Sequence, residues 1–195
     1  MKVEEKALVL DYLTRGRSSD IKTEPIAQLL GTEYFTLLEV VPKQGANLSA
    51  LDEVYVGKEE RDKIEFIKKR VAYRELTNNS LQELDKAIEK IVLSNEKKFV
   101  DFYNLARSIT LKRHQIELLP GMGKKHMLQI IQEREKGQFQ TFEEMRKRVH
   151  SLPDPVHAIV RRVLEELEGM DVKHYLFVRP PSPERTDQFR YRKRF

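Results

Sequence analysis

The hydrophobic pattern of the chain changes at Asn78, and this change constrains the fold more than any other feature of the sequence. Before it, short apolar or alternating runs are separated by turn-forming segments, which is typical of β-strands. After it, apolar residues recur every three or four positions, which is typical of helices. We therefore predict an α+β protein with a small N-terminal β-barrel over residues 1–77, an all-α region and a basic tail.

Five runs supply the predicted strands: KALVLDYL, PIAQLLG, YFTLLEVV, DEVYV and residues 63–76. Five short strands in this length match an OB-like barrel most closely. The last run also fits one helix face through Ile64, Ile67 and Val71, and we assign it as a strand. The aromatic side chains of the region are expected mainly in the core, with a base-stacking surface as the alternative. They are Tyr34, Phe35, Tyr55, Phe66 and Tyr73.

Residues 78–109 are predicted as a helical bridge. Ser80 and Glu83 have capping-box spacing at the start of its first helix. The apolar face of that helix is formed by Leu81, Leu84, Ile88 and Ile91. A second helix starting near Asn95 is predicted to place five apolar residues on one side: Phe99, Phe102, Tyr103, Ala106 and Ile109.

Residues 110–170 are predicted to form short helices with clear boundaries. Gly137 ends one helix, and Thr141 begins the next with Glu144 as its capping-box partner. Asp154 before Pro155 marks the start of a further helix, which Gly169 ends. In residues 171–195, the run VKHYLFV fits a final strand, and the remainder is too rich in proline and charge to pack by itself.

Composition excludes several classes of protein. The chain has no cysteine, so disulfides, thiolate metal sites and cysteine nucleophiles are ruled out. The N-terminus does not resemble a signal peptide, and no apolar run approaches the roughly 20 residues of a membrane helix. The histidines lack metal-binding spacing, and no nucleophile motif is present. We therefore expect a cytoplasmic protein with no metal, no cofactor, no membrane contact and no enzymatic activity.

The segment IELLPGMGKKHMLQII contains the most informative pattern in the chain. Gly121 and Gly123 allow a tight reversal and a close approach of backbone N–H groups to a ligand. Met122 between them is predicted to point inward and anchor the turn. The next helix begins at Lys124 and Lys125, where free N–H groups and the positive end of the helix dipole favour phosphate. The spacing of a Walker loop is absent, and so is the third glycine of a dinucleotide fingerprint.

This segment, together with EREKGQFQTFEEMRKRV, resembles the helix-hairpin-helix motif of DNA- and RNA-binding proteins. The resemblance covers about 40 residues. It implies that the glycine turn and the residues just after it bind a backbone phosphate without reading the base sequence. The positions that match are Gly121, Gly123, Lys124 and Lys125. Met122 and Met127 occupy positions where that motif usually has smaller residues.

A second, degenerate copy of the motif is predicted 33 residues downstream, where LPDPVHAIVRRVL aligns with LPGMGKKHMLQII. Asp154 and Val156 replace the two glycines, so this copy is expected to pack in the same way without binding phosphate. The whole arrangement, including VYVGKEERDKIEFIKKR, resembles an archaeal family of uncharacterised proteins. That resemblance implies an OB-like domain, tandem hairpins and a basic tail, and it leaves the biological role open.

Most of the net charge lies in the tail. Residues 179–195 carry six basic and two acidic side chains, which accounts for +4 of the total charge of +5. Arg190, Arg192, Lys193 and Arg194 alternate there with aromatic residues, as expected for an arm that follows phosphates and stacks on bases. The alternative is a tail that only increases solubility.

These features predict a nucleic-acid-binding protein without sequence specificity, with RNA slightly favoured over DNA because OB-like barrels suit unpaired strands. Two alternatives remain open at this stage. One is a protein–protein adaptor in a ribosomal or transcription complex, since helical hairpins also serve as protein contacts. The other is a nuclease or nucleic-acid-modifying enzyme whose active site has no recognisable motif.

Overall fold

The computed structural model describes residues 3–16, 24–170 and 172–179, which form a mixed α+β structure. Its sheet has five antiparallel strands in the order β4-β1-β2-β3-β5. The first four strands in this order form a Greek key. The sheet is curled into a half-barrel, the form in which the predicted small barrel is present, and β4 and β5 are its two edges. The strands are β1 Lys6–Leu13, β2 Ile26–Gly31, β3 Leu37–Pro42, β4 Glu53–Tyr55 and β5 Ile64–Arg70.

Both faces of the central strands are buried, because two groups of apolar side chains alternate along them. One group, which includes Val9, Leu29 and Val40, fills the inside of the curl. The other group faces the helices and includes Leu8 and Leu30. The strands are therefore almost continuously apolar, as expected where neither face meets water.

Two strand predictions differ from the structure in their boundaries. Tyr34 and Phe35 lie in the turn before β3, where Phe35 is buried with φ at +52°. After β5 the chain forms the 3-10 turn Tyr73–Glu75, although the sequence predicts a strand that continues to Leu76. In both places a tight turn contains residues of high β-propensity, so propensity extends the predicted strand too far.

The helices follow the sheet in the chain, and a short hairpin of strands β6 and β7 separates the second helix from the third. No helix of the described residues is both long and apolar enough to span a membrane. The elements are α1 Asn78–Ser94, α2 Glu96–Leu105, β6 Ser108–Thr110, β7 Arg113–His114, a 3-10 turn Gln115–Leu118, α3 Lys124–Lys136, α4 Phe142–Arg148 and α5 Pro155–Glu168.

Several predicted helix boundaries are confirmed. Gly137 is the C-cap of α3, and the hydroxyl of Thr141 accepts a hydrogen bond from the Glu144 N–H at the start of α4. Asp154 caps α5, and Gly169 ends it in the left-handed conformation with φ at +71°. These positions are predictable because each cap depends on a local property of one or two residues.

The predicted capping box at Ser80 is wrong by three residues. Thr77 is the N-cap of α1, and its hydroxyl accepts the Ser80 N–H at 3.1 Å. Ser80 is fully buried inside the first turn, where its own hydroxyl donates to Oε1 of Gln28 at 2.7 Å. Sequence spacing missed this pairing because Gln28 lies in β2, far away along the chain.

Two further predictions near the ends of helices are wrong. Helix α2 ends at Leu105, and Ile109 lies in β6 instead of on the helix face. Residues 172–179 form no strand, because the carboxylate of Glu166 accepts their backbone N–H groups instead. Glu166 accepts from Leu176, Phe177 and Val178 at 2.7, 3.0 and 2.8 Å.

One hydrophobic cluster joins the sheet to the helices across the predicted boundary at residue 77. Phe35, Phe99 and Phe177 form a chain of ring contacts with centroid separations of 6.1 and 5.8 Å. Phe102 contacts Phe177 edge-on at 4.9 Å. The segment after α5 is therefore packed between the sheet and α2 by aromatic contacts, which adds to the hydrogen bonds of Glu166.

The turn between β2 and β3 is organised around the buried carboxylate of Glu4. It accepts backbone N–H bonds from Glu33, Tyr34 and Thr36 at 2.9, 3.1 and 3.0 Å. Gly31 passes so close that a Cβ added there would lie 2.1 Å from the Glu4 carboxyl carbon. The absence of a side chain at Gly31 is therefore necessary for this arrangement.

We expect Gly31→Ala to lower the free energy of unfolding by about 1–3 kcal/mol, because the carboxylate must move and lose its hydrogen bonds. Gly137→Ala is the matched control, since a Cβ there meets nothing within 4 Å. Urea unfolding measures both. The cost of Gly31→Ala should shrink in a Glu4→Ala background, and an unchanged cost would contradict the proposed contact.

Candidate nucleic-acid interface

The glycine turn, residues 119–123, lies between the 3-10 turn Gln115–Leu118 and α3. Leu119 and Met122 are buried, and the N–H of Met122 donates to the carbonyl of Leu119 at 3.0 Å. Met122 therefore points inward, as predicted. Gly121 has φ at +81°, which favours glycine at this position. The helix predicted before the turn is only the four-residue 3-10 turn.

The N-terminus of α3 has no side-chain cap. Its N-cap is Gly123, and the N–H of Met127 makes an intrahelical bond to the carbonyl of Gly123 at 3.0 Å. The preceding N–H groups belong to the orphan donors of the first turn. Lys124 and Lys125 are exposed beside them, and a Cβ built on Gly123 would meet no atom within 4 Å. The N-terminus of α3 therefore has backbone N–H donors, two lysine charges and open space at the same place.

The N-terminus of α5 has the opposite arrangement. One carboxylate oxygen of Asp154 accepts the N–H groups of Val156 and His157 at 2.8 and 2.9 Å. The other lies 2.9 Å from the guanidinium of Arg146. Partial burial raises the pKa of Asp154, but the His157 N–H, Arg146 and the Val156 N–H outweigh it, so the pKa lies below its usual value. An internal anion thus occupies this helix end.

The glycine turn and the segment before α5, which the sequence predicts to be two copies of one motif, are neighbours in space but differ in structure. A Cβ on Gly121 would contact the ring of Pro153 at 3.7 Å, so the two turns pack against each other. Helix α5 begins at Pro155, as predicted from Asp154 and Pro155, whereas the residue 33 positions after Lys124 is His157. The loss of both glycines and the N-capping Asp154 explain this shorter turn.

Helix α3 is held in place by two arginines. Arg134 donates to the carbonyls of Tyr103 and Ala106 at 2.9 and 2.8 Å, which caps the C-terminus of α2. Arg148 binds the carbonyls of Glu133 and Gly137 and lies over the ring of Phe139. The sequence did not predict these contacts. Arg134 and Arg148 lie in the last turns of α3 and α4, and the local sequence does not show that each binds carbonyls at the end of another helix.

Carboxylates line the groove beside the glycine turn. Glu117 and Glu165 both border it. Glu117 accepts the N–H of His114 at 2.8 Å, and Glu165 pairs with Arg162 at 3.3 Å. This side of the turn is therefore unfavourable for a phosphate, whereas the end of α3 at the two lysines is favourable.

The remaining predicted site residues are Arg190, Arg192, Lys193 and Arg194, which lie outside the described residues. Within the described part of the chain, no group of three or more histidine, aspartate or glutamate side chains is arranged to hold a metal ion. Of the five aromatic residues considered for base stacking, Phe66 is the most exposed, with 45% of its surface accessible, and the other four are buried or partly buried.

Comparison with known proteins identifies archaeal relatives that share both the sequence and the fold. An uncharacterised protein of Methanocaldococcus jannaschii, MJ0038, is 38% identical over 179 residues, which cover 91% of this chain and 81% of that protein. The crystal structure of Af1531 from Archaeoglobus fulgidus superimposes with a TM-score of 0.84 at 43% identity, covering 90% of this chain and 100% of that one. The chain belongs to the family described as protein of unknown function DUF655, whose model matches residues 3–179.

We expect Asp154→Ala to lower the free energy of unfolding by about 1 kcal/mol at neutral pH, because the side-chain cap of α5 is lost. The folded-state pKa of Asp154 lies below its unfolded value of about 3.9. The stabilisation is therefore complete above that value and is lost as the pH falls through the folded-state pKa. Urea unfolding of both proteins down to about pH 3 should show the difference shrinking on the acid side. A difference that does not change with pH would contradict this role.

Proposed function

We propose that the chain is a nucleic-acid-binding protein without sequence specificity and without enzymatic activity, and that a helix-hairpin-helix grip at the glycine turn binds backbone phosphates. The observation that carries the proposal is the contrast between two helix N-termini. Asp154 fills the end of α5 with a carboxylate of this chain. The end of α3 has Gly123 at its N-cap, which supplies no side chain, and two exposed lysines beside it.

A phosphate suits the end of α3 for three physical reasons. The orphan N–H groups donate hydrogen bonds, the helix dipole attracts negative charge, and Lys124 and Lys125 add Coulombic attraction. Asp154 shows that this chain can stabilise an anion at a helix end, since its carboxylate accepts two N–H groups there. Contacts of this kind bind the backbone and carry little sequence information.

The sheet supports a slight preference for RNA over DNA. OB-folds are five-stranded, partly open Greek-key barrels that bind single-stranded nucleic acids. The strand order of this sheet contains a Greek key and is open between β4 and β5. Because unpaired bases are more available in RNA, a strand-binding sheet beside a phosphate grip favours that target. The basic tail is proposed to add long-range attraction.

A second candidate function is an adaptor in a ribosomal or transcription-related assembly. It is favoured by two exposed leucines close together in the chain, Leu105 at the end of α2 and Leu111 between β6 and β7. Leu105 is 70% exposed and Leu111 is fully exposed. Apolar side chains at such positions are common in protein contacts, although single exposed residues are also ordinary surface features.

We expect Gly123→Asp to weaken binding of RNA and of DNA by at least about tenfold while the thermal midpoint stays equal or rises. The new carboxylate would cap α3 as Asp154 caps α5, so it would stabilise the helix and exclude a phosphate. Fluorescence anisotropy measures binding, and calorimetry measures the midpoint.

Gly137→Asp is the matched control, since it places the same charge at the other end of α3, where a Cβ also meets no neighbour. A 13-residue helix puts the two positions about 20 Å apart. His157→Ala in the degenerate copy should have little effect on binding. If Gly137→Asp or His157→Ala weakened binding as much as Gly123→Asp, the grip would not be at α3.

We expect removal of residues 180–195 to lower affinity and to flatten the dependence of log K on log salt concentration. Each phosphate that the shortened chain no longer neutralises should change the slope by roughly 0.7–0.9. Binding titrations at several salt concentrations measure the slope, and circular dichroism checks the fold. An unchanged slope would leave the tail without a role in binding.

A further inference from the structure

A cleft lies between the sheet and the C-terminal end of α5, about 660 Å³ in volume. This size falls within the range of ligand pockets. Its walls come from the turn before β3, the end of β5, the 3-10 turn Tyr73–Glu75 and the segment that returns after α5.

Apolar and aromatic side chains form the walls. Tyr73, Leu167 and Tyr175 are only partly buried, so their surfaces are available inside the cleft. Met170 at the rim is 80% exposed, so its side chain is accessible to a ligand that enters the cleft. Two partly exposed phenol rings in one cleft provide surfaces on which a planar group can stack.

Basic residues exceed available acidic ones at the same cleft. Arg70, Arg74 and Arg179 line it together with Glu166 and Glu168. Glu166 is neutralised by Arg162 at 2.9 Å and binds backbone N–H groups with both oxygens.

Burial and the nearby carboxylate of Glu168 raise the pKa of the Tyr73 hydroxyl. In contrast, Arg70 and Arg74 are exposed, and neither has an ion pair with a described residue. The occupant is therefore expected to be apolar on one side and anionic on the other.

We propose that the cleft holds one unpaired nucleotide of a nucleic-acid strand, with the base between the tyrosines and the phosphate directed to Arg70 and Arg74. The identity of the ligand rests on the proposed function. The cleft and the groove beside the glycine turn lie along the same helix, since Glu165 borders the groove and Glu168 borders the cleft.

The first experiment uses adenosine 5′-monophosphate and inorganic phosphate as probes of the full-length protein, with calorimetry and amide chemical shifts as readouts. The nucleotide should bind and shift the signals of Tyr73, Leu167 and Tyr175, and phosphate alone should bind at least about tenfold more weakly. The double variant Arg70→Glu with Arg74→Glu should lose nucleotide binding by at least about tenfold. Equal binding of phosphate and nucleotide would overturn the proposal.

The second experiment compares a single-stranded RNA with a duplex RNA of equal length. Arg70→Glu with Arg74→Glu should reduce the preference for the single strand about tenfold relative to Lys86→Glu with Lys97→Glu, which makes the same charge change at exposed positions of α1 and α2. Equal preferences in the two double variants would overturn the proposal.

These outcomes separate the inference from the proposed function. Gly123→Asp should weaken binding of both RNAs and leave binding of the mononucleotide unchanged, because the glycine turn does not line the cleft. A chain that ends at Arg179 tests whether residues 180–195 occupy the cleft. If that shorter chain bound the mononucleotide at least about tenfold more tightly than the full chain, the tail would be the occupant and the proposal would be wrong.

Discussion

Strands β2 and β3 are buried on both faces, and the rest of the fold provides the two surfaces that cover them. Curling of the sheet covers one face with its own side chains, while α1 covers the other. Gln28, in the middle of β2, is a polar residue with no exposed surface, so its amide must find hydrogen-bond partners inside the protein. It is satisfied by the carbonyl of Glu75, the N–H of Thr77 and the hydroxyl of Ser80. The start of α1 is thus fixed both by its local cap at Thr77 and by the hydrogen bonds of Gln28 in the sheet.

This dependence explains which parts of the structure are predictable from the sequence. The ends of α3, α4 and α5 follow from Gly137, Thr141, Asp154 and Gly169, because each of these residues acts on its own helix terminus. The cap of α1 lies three residues before the predicted one, because Thr77 accepts the Ser80 N–H while the hydroxyl of Ser80 binds Gln28. The segment after α5 has the apolar pattern of a strand, but its N–H groups donate to Glu166 and not to a neighbouring strand. Long-range hydrogen bonds of single side chains override the local pattern in both cases.

The candidate site shows the same division. The glycine turn, the inward position of Met122 and the start of α3 at Lys124 are predictable, because glycine conformation and helix capping are local. The shortening of the preceding helix to a single 3-10 turn is not, because His114 caps that turn with a side-chain acceptor and only four residues follow before the glycine turn begins. The cleft could not be predicted at all, since its walls come from four separate segments of the chain.

The N-termini of α3 and α5 both present backbone N–H donors, but only α5 has a side chain at its N-cap that accepts from them. An N-terminus with orphan N–H groups requires an acceptor, and Asp154 is held in place by both the chain and Arg146. Gly123 supplies no acceptor, so the end of α3 depends on water or on a ligand. A capping side chain there would stabilise the helix by roughly a few tenths of a kcal/mol relative to glycine, so Gly123 has a small cost in stability. Such a cost is understandable where the open helix end has a binding role, because a stronger internal cap would compete directly with the phosphate for the same N–H groups.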